Sequence, residues 1–205
     1  MAADNLQDII LKPENPPVFF APEKVFNRAT SFDLEVDLGC GKGRFLLARS
    51  FSRPESSFLG IDRRRARIGK VGRAVRRAGV RNIRLLCSEI FFAVENLIPA
   101  ESVSVYYLFF PDPWPKRRHH RRRLFDAGFR DAVRKTLKAG GEIHIATDHP
   151  DYFLIIKNLL AADVRFVEIA PFAPTAGERT NFELLFMGQN KPIARCSFMK
   201  SGPGF

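Results

Sequence analysis

Five short apolar runs, separated by stretches of helical periodicity, constrain this chain more than any other feature. LEVDL (34–38), SFLGI (57–61), IRLLC (83–87), VSVYYLFF (103–110) and EIHIA (142–146) have the length and composition of buried strands. After the first, KGRFLLARS reads as a helix entered through a glycine turn. After the second, segment 63–78 places Ile68, Val71, Val75 and Ala78 on one helical face. Strands that alternate with helices form a mostly parallel sheet covered on both faces. VRFVEIA, TNFELLFM and IARCSF follow with short links and are expected to finish the sheet as antiparallel strands. The expected fold is doubly wound α/β. With 205 residues and 45% hydrophobic content the chain can bury one good core. A polar, proline-containing lead over residues 1–33 is therefore expected to be an extension to a single domain at 34–205.

The charge balance narrows the partner. Thirty-three Lys and Arg against 22 Asp and Glu leave a formal charge of +11, which favours a polyanion such as nucleic acid. No apolar run approaches the ~20 residues of a membrane span, and MAADNLQDII has acids where a signal peptide is basic. A cytoplasmic protein is expected. Cys40, Cys87 and Cys196 are odd in number and far apart, so reduced thiols are the expectation. His119 and His120 have no second ligand pair nearby, and no metal is expected. A monomer is expected.

In a doubly wound fold, ligands bind beyond the carboxyl ends of the strands where strand order reverses. DLGCGKG (37–43) supplies a glycine turn there, open either as a ligand cradle or as a plain strand-to-helix turn. Its spacing, Gly39, Gly41 and Gly43 followed by Arg44, departs from the dinucleotide pattern G-x-G-x-x-G, and no G-K-[ST] follows. Asp62 ends FLGID, where an acid can accept from both ribose hydroxyls or cap the next helix. Glu89 follows RLLCS and fits an adenine edge or a surface cap. Asp37, Asp62 and Glu89 at three strand ends suit an adenosyl cofactor bearing a sulfonium and an ammonium rather than phosphates. That cofactor is S-adenosylmethionine.

FFPDPWPKRRHHRRRL (109–124) holds a single acid, Asp112, between Pro111 and Pro113, which restrict the backbone and present the carboxylate at low entropic cost. Trp114 can stack on a base, wall a pocket or pack under the loop. Lys116, Arg117, Arg118, Arg121, Arg122 and Arg123 form either a solvated helix start or a phosphate contact. Cations at a helix N-terminus oppose the macrodipole unless an anion neutralises them. From Arg63 to Arg81 there are nine Lys or Arg and no acid, a second surface open to the same two readings. IHIATDHP places Thr147 and Asp148 at a strand end. ERTNFE places Thr180 and Glu183 at the head of a late strand, and Asp148 and Glu183 can each either bind a base or serve as a cap or turn residue.

VDLGCGKGRFL, FLGID, LFFPDPWPKRRHHRRRL, GGEIHIATD and TNFE occur in the order seen in the tRNA (guanine-N7-)-methyltransferase family, which the chain resembles from about Asp33 to Lys200. The Pro-Asp-Pro-Trp segment is the specific part, since many methyltransferases share the glycine turn. The resemblance implies a Rossmann-like methyltransferase fold, S-adenosylmethionine as methyl donor, and transfer to N7 of a guanosine in the tRNA variable loop. By matching motif it implies cofactor contacts from Asp37, Gly39, Gly41, Gly43, Asp62, Glu89 and Asp112, with Asp112 also catalytic. Lys116, Asp148 and Thr180, Asn181, Phe182 and Glu183 fall at substrate-contacting positions, and Arg118, Arg121, Arg122 and Arg123 at an RNA-contacting run. The family commonly has Glu where this chain has Asp37 and Asp62, and Asp where it has Glu89, a change of reach of about 1.5 Å each. A nucleotide-dependent oxidoreductase, a non-catalytic RNA-binding protein and a methyltransferase with another RNA target are the rival readings.

Overall fold

The structure is a computed structural model that describes residues 6, 8–12, 20–28 and 32–202; the rest of the 1–33 lead lies outside the described residues. In chain order the elements are β1 (Ile10–Leu11), α1 (Pro22–Phe26), β2 (Leu34–Leu38), α2 (Arg44–Ser52), β3 (Ser57–Asp62), α3 (Arg65–Arg77), β4 (Ile83–Cys87), α4 (Ile90–Asn96) and β5 (Val103–Phe109). A 3-10 helix (Arg117–Arg122), α5 (Ala127–Thr136), β6 (Leu137–Thr147), α6 (Pro150–Ala161), β7 (Phe166–Ile169), α7 (Asn181–Gly188) and β8 (Ala194–Lys200) follow.

The eight strands form one sheet in the order β1-β4-β3-β2-β5-β6-β8-β7. Pairings from β1 through β6 are parallel, and β8 runs antiparallel to both β6 and β7. This is the doubly wound, mostly parallel sheet that the alternating runs imply. β3 and β4 lie on one side of β2 while β5 and β6 lie on the other, so the order reverses at β2 and opens a crevice above the ends of β2 and β5. Leu34, Val36 and Leu38 point into the larger core with Tyr106, Leu108, Ile143 and Ile145. On the opposite face Leu46 of α2 and Ile68, Val71 and Val75 of α3 cover β3 and β4. Ile10 and Leu11 of the lead add a parallel edge strand beside Leu85 and Leu86.

Two expectations are corrected. TNFELLFM is helix α7, not a strand: the Thr180 side chain accepts from the Glu183 N–H at 3.0 Å, and Leu, Phe and Met lack the β-branching that disfavours helix. With Glu three residues after a threonine N-cap, the segment carries a helix-start signal that outweighs its apolar content. In α3 the buried face is Ile68, Val71, Gly72 and Val75; Ala78 lies past the last turn and is exposed.

Candidate active site

The glycine turn closes over the end of the sheet. Gly39, Gly41 and Gly43 have φ of 90°, 55° and 74°, conformations that other residues adopt only with strain. The N–H groups of Gly39 and Cys40 both donate to the Ile61 carbonyl, at 2.8 and 2.9 Å, which holds the turn against β3. A Cβ on Gly43 would stand 2.6 Å from Val71 Cγ1, so glycine is also what lets α2 and α3 approach. Asp37, at the end of β2 beside this turn, is buried, and its carboxylate has no hydrogen bond or ion pair among the described residues. Burial, reinforced by the nearby charge of Asp62, pushes its carboxyl up to about 7.

Asp62 ends the neighbouring strand and is also buried. One of its oxygens accepts from the Arg64 N–H at 2.8 Å and the other lies 3.4 Å from Arg67. It forms a local turn and does not cap α3, whose N-cap is Arg64. Glu89 occupies the N-cap position of α4, but its exposed side chain makes no cap hydrogen bond. Arg63 reaches within 4.0 Å of Glu89 and 3.9 Å of Asp112, so the acids beyond β4 and β5 fall within the span of one guanidinium.

The loop after β5 is strained where it carries Asp112. Phe110 and Trp114, on either side, have φ of 53° and 42°, left-handed conformations that cost non-glycine residues of the order of 1 kcal/mol each. Such strain clusters where a loop must present a group in a fixed place. Arg123 anchors the loop by donating from Nε to the Pro113 carbonyl at 2.7 Å, with its guanidinium 4.8 Å from the Tyr152 ring. Trp114 is half-buried between His119, edge-on at 5.7 Å, and Arg122, whose guanidinium lies 5.0 Å from its ring. The Asp112 carboxylate itself is 74% exposed.

Other predicted residues converge on the same crevice. The Phe110 N–H donates to the Ala146 carbonyl at 2.7 Å, which sets the end of β6, with Thr147 and Asp148, beside the Asp112 loop. Thr147 is buried and accepts from the His149 N–H, whereas the Asp148 carboxylate has no partner among the described residues. Arg44, first residue of α2, donates to the Arg179 carbonyl at 3.0 Å and so ties the start of α7 to the glycine turn. Glu183 is buried and bonded to Arg195, and its second oxygen is buried without a hydrogen-bond partner. Lys116, Arg117, Arg118, Arg121 and Arg122 are exposed on and just before the 3-10 helix; Arg123 turns inward.

Residues 33–194 match a family model described as "Putative methyltransferase". The chain is 35% identical to a tRNA (guanine-N(7)-)-methyltransferase of Nitrosococcus oceani over 86% of its own length and 75% of the relative's. The chain belongs to the tRNA (guanine-N7-)-methyltransferase family. A further member, from Aliivibrio fischeri, is 38% identical over 72% of this chain but only 64% of its own length, so part of that relative has no counterpart in the match. Among solved structures the 16S rRNA methyltransferase KamB superposes with a TM-score of 0.64 over 90% of this chain and 95% of that one, at 15% identity, a likeness of fold.

The residues present fit S-adenosylmethionine, the methyl donor that membership in this methyltransferase family implies. An unpartnered buried acid beside three positive-φ glycines offers a cationic ligand both charge and close backbone approach. A pH dependence follows for Asp37. A cation selects the ionised carboxylate, so S-adenosylmethionine affinity should be level above about pH 7 and fall by up to about tenfold per unit below it. Without ligand the sign is opposite: the fold keeps this proton up to about 7 while the unfolded chain releases it near 3.8, so stability from this group declines as pH rises through that window. Calorimetric titration between pH 5.5 and 8.5 checks the binding profile, which Asp37→Asn should flatten; an equally steep profile in that variant would assign it to another group.

Sequence reasoning passed over three residues. Glu35, two positions before Asp37 on the same face of β2, is fully buried and accepts from Tyr107 at 2.6 Å and Arg49 at 3.2 Å. Arg49 also donates to buried Glu178 at 3.2 Å, which pins the loop leading to Thr180. The available signal was a charged residue within the apolar face of α2. This cluster borders a cavity of about 610 Å³ at the opposite ends of β2, β5 and β6, where burial pushes His144 down to about 4 and leaves it neutral.

Proposed function

We propose that this chain transfers a methyl group from S-adenosylmethionine to N7 of a guanosine in the variable loop of tRNA. The observation that carries this reading is the buried, unpartnered Asp37 beside the glycine turn, in the crevice that also holds the strained Pro-Asp-Pro-Trp loop and Asp148. Family membership supplies the reaction and the substrate class. In this reading Asp37 faces the cationic part of the cofactor, Asp62 accepts from the ribose hydroxyls, and Glu89 lies at the adenine edge. The bound cofactor would supply an electrophilic methyl on a sulfonium.

Guanine N7 has an exposed lone pair, so no proton must leave before attack, and positioning and electrostatics dominate. Asp112 accepts from the base's N1–H and exocyclic amine and stabilises the positive charge that develops on the purine. Asp148, Thr180, Asn181 and Glu183 complete the guanine site, and Phe182 meets the tRNA beside it. Lys116, Arg118 and Arg121 hold the phosphates, and the target base is drawn out of its stack. The catalytic domain spans 34–205 with 1–33 as an extension, and the protein acts as a cytoplasmic monomer. No helix among the described residues is long and apolar enough to cross a membrane.

The test is methyl transfer from labelled S-adenosylmethionine to unmodified tRNA, with the product mapped by strand scission at N7-methylguanosine. One labile site in the variable loop is the expected result. Label elsewhere in RNA would keep the chemistry and replace the target; tRNA binding with no transfer would leave an RNA-binding protein.

A further inference from the structure

Helix α7 is apolar on nearly every side yet buries only Glu183. Phe182 and Leu185 are each 51% exposed, and Leu184 and Met187 are exposed as well. A surface helix ordinarily turns an apolar stripe to the core and polar residues to water, and an uncovered apolar cluster marks a contact surface. Its aromatic part is ordered. The rings of Phe182 and Phe186 lie nearly parallel, 22° apart with centroids at 6.0 Å, and both meet Phe110 of the Asp112 loop, at 6.2 and 5.4 Å. Phe110 holds this place through its positive φ, two residues before Asp112. Cations stand at both ends: Arg179 precedes the Thr180 cap, and the Lys191 ammonium lies 5.0 Å from the Phe186 ring.

We propose that Phe110, Phe182 and Phe186 form a stacking platform for an unpaired RNA base next to the guanosine that is methylated. The inference rests on the proposed function and goes beyond it in naming what covers α7. Drawing a guanine out of its stack leaves a neighbouring base with an uncovered face, and aromatic side chains accept such a face whatever the base. The platform is continuous with the Asp112 loop, within reach of a nucleotide adjoining the site. Arg179 and Lys191 meet the phosphates on either side of that base. A second copy of the chain is the poorer occupant, because two molecules of formal charge +11 repel where a polyanion is attracted.

The experiment pairs a protein change with an RNA change in steady-state methyl transfer. Wild-type protein is assayed first on intact tRNA; no transfer there would overturn the proposed function and the platform with it. Given transfer, Phe182→Ala should raise KM for tRNA about tenfold with a smaller change in kcat. An abasic nucleotide on one side of the target guanosine should raise the wild-type KM similarly. Combined, the two changes should cost little more than either alone, since they remove the same contact. Phe182→Leu keeps the apolar bulk without the ring and should behave like Phe182→Ala, whereas Phe182→Trp should restore the wild-type KM. Full additivity with abasic sites on both sides, or wild-type behaviour of Phe182→Leu, would overturn the platform. A wild-type dimer in sedimentation that Phe182→Ala dissociates would equally overturn it and give α7 to a second copy.

Discussion

Replacing Asp112 by Asn lowers turnover of methyl transfer by about a hundredfold or more while KM for tRNA changes only a few-fold. Loss of one preorganised electrostatic contact to a transition state typically costs 10²–10³ in kcat. Asn keeps the shape of the side chain, removes the negative charge that balances the purine as methyl arrives, and can turn an N–H donor toward the base's own N1–H. The carboxylate is exposed and its recorded ion-pair partner, Arg63, lies 3.9 Å away, so the substitution leaves no buried charge behind and should not unfold the loop. Arg123 and the two prolines hold the loop from the other side. Single-turnover rates with saturating S-adenosylmethionine and tRNA separate this from a binding defect. Wild-type rates in the variant would remove Asp112 from the catalytic role and turn attention to Asp148.

Replacing Arg118 and Arg121 together by Ala weakens tRNA binding by about tenfold at physiological salt and makes the slope of log K against log[salt] shallower by about 1.5. Each phosphate neutralised by a side chain contributes roughly 0.7–0.9 to that slope. Both residues are exposed on the 3-10 helix, and the recorded contact of Arg118 is with neighbouring His119. Arg123 belongs to another class despite its place in the same run. With Nε on the Pro113 carbonyl and its guanidinium over Tyr152, it holds the Asp112 loop. Filter binding across a salt series measures the double variant; an unchanged slope would make the 3-10 helix a solvated surface.

The fold was legible because short strand runs alternate with helical periods, and most of those runs are largely apolar since a central parallel strand buries both faces. LEVDL and IRLLC coincide with β2 and β4 residue for residue. The late segments were harder. VRFVEIA contains β7 and IARCSF covers β8 up to Phe198, and the two strands pair antiparallel, but TNFELLFM has the same apolar density and forms α7 through its threonine cap. Apolar content signals burial, and α7 shows the limit of that signal, since it is apolar and uncovered.

By itself the sequence determined the strand–helix order, the glycine turn and the set of acids at strand ends, because each rests on local chemistry: backbone freedom, period, and the fixed φ of proline. Tertiary structure alone decided which groups are free to act. Asp37 and Glu35 share one face of one strand, yet Glu35 is committed to Tyr107 and Arg49 while Asp37 is left unpartnered. Arg121 and Arg123 share one basic run, yet one meets solvent and the other a backbone carbonyl. The charge of a side chain is written in its sequence, but the partner that occupies it comes from elements far along the chain, and only packing brings that partner within hydrogen-bond distance.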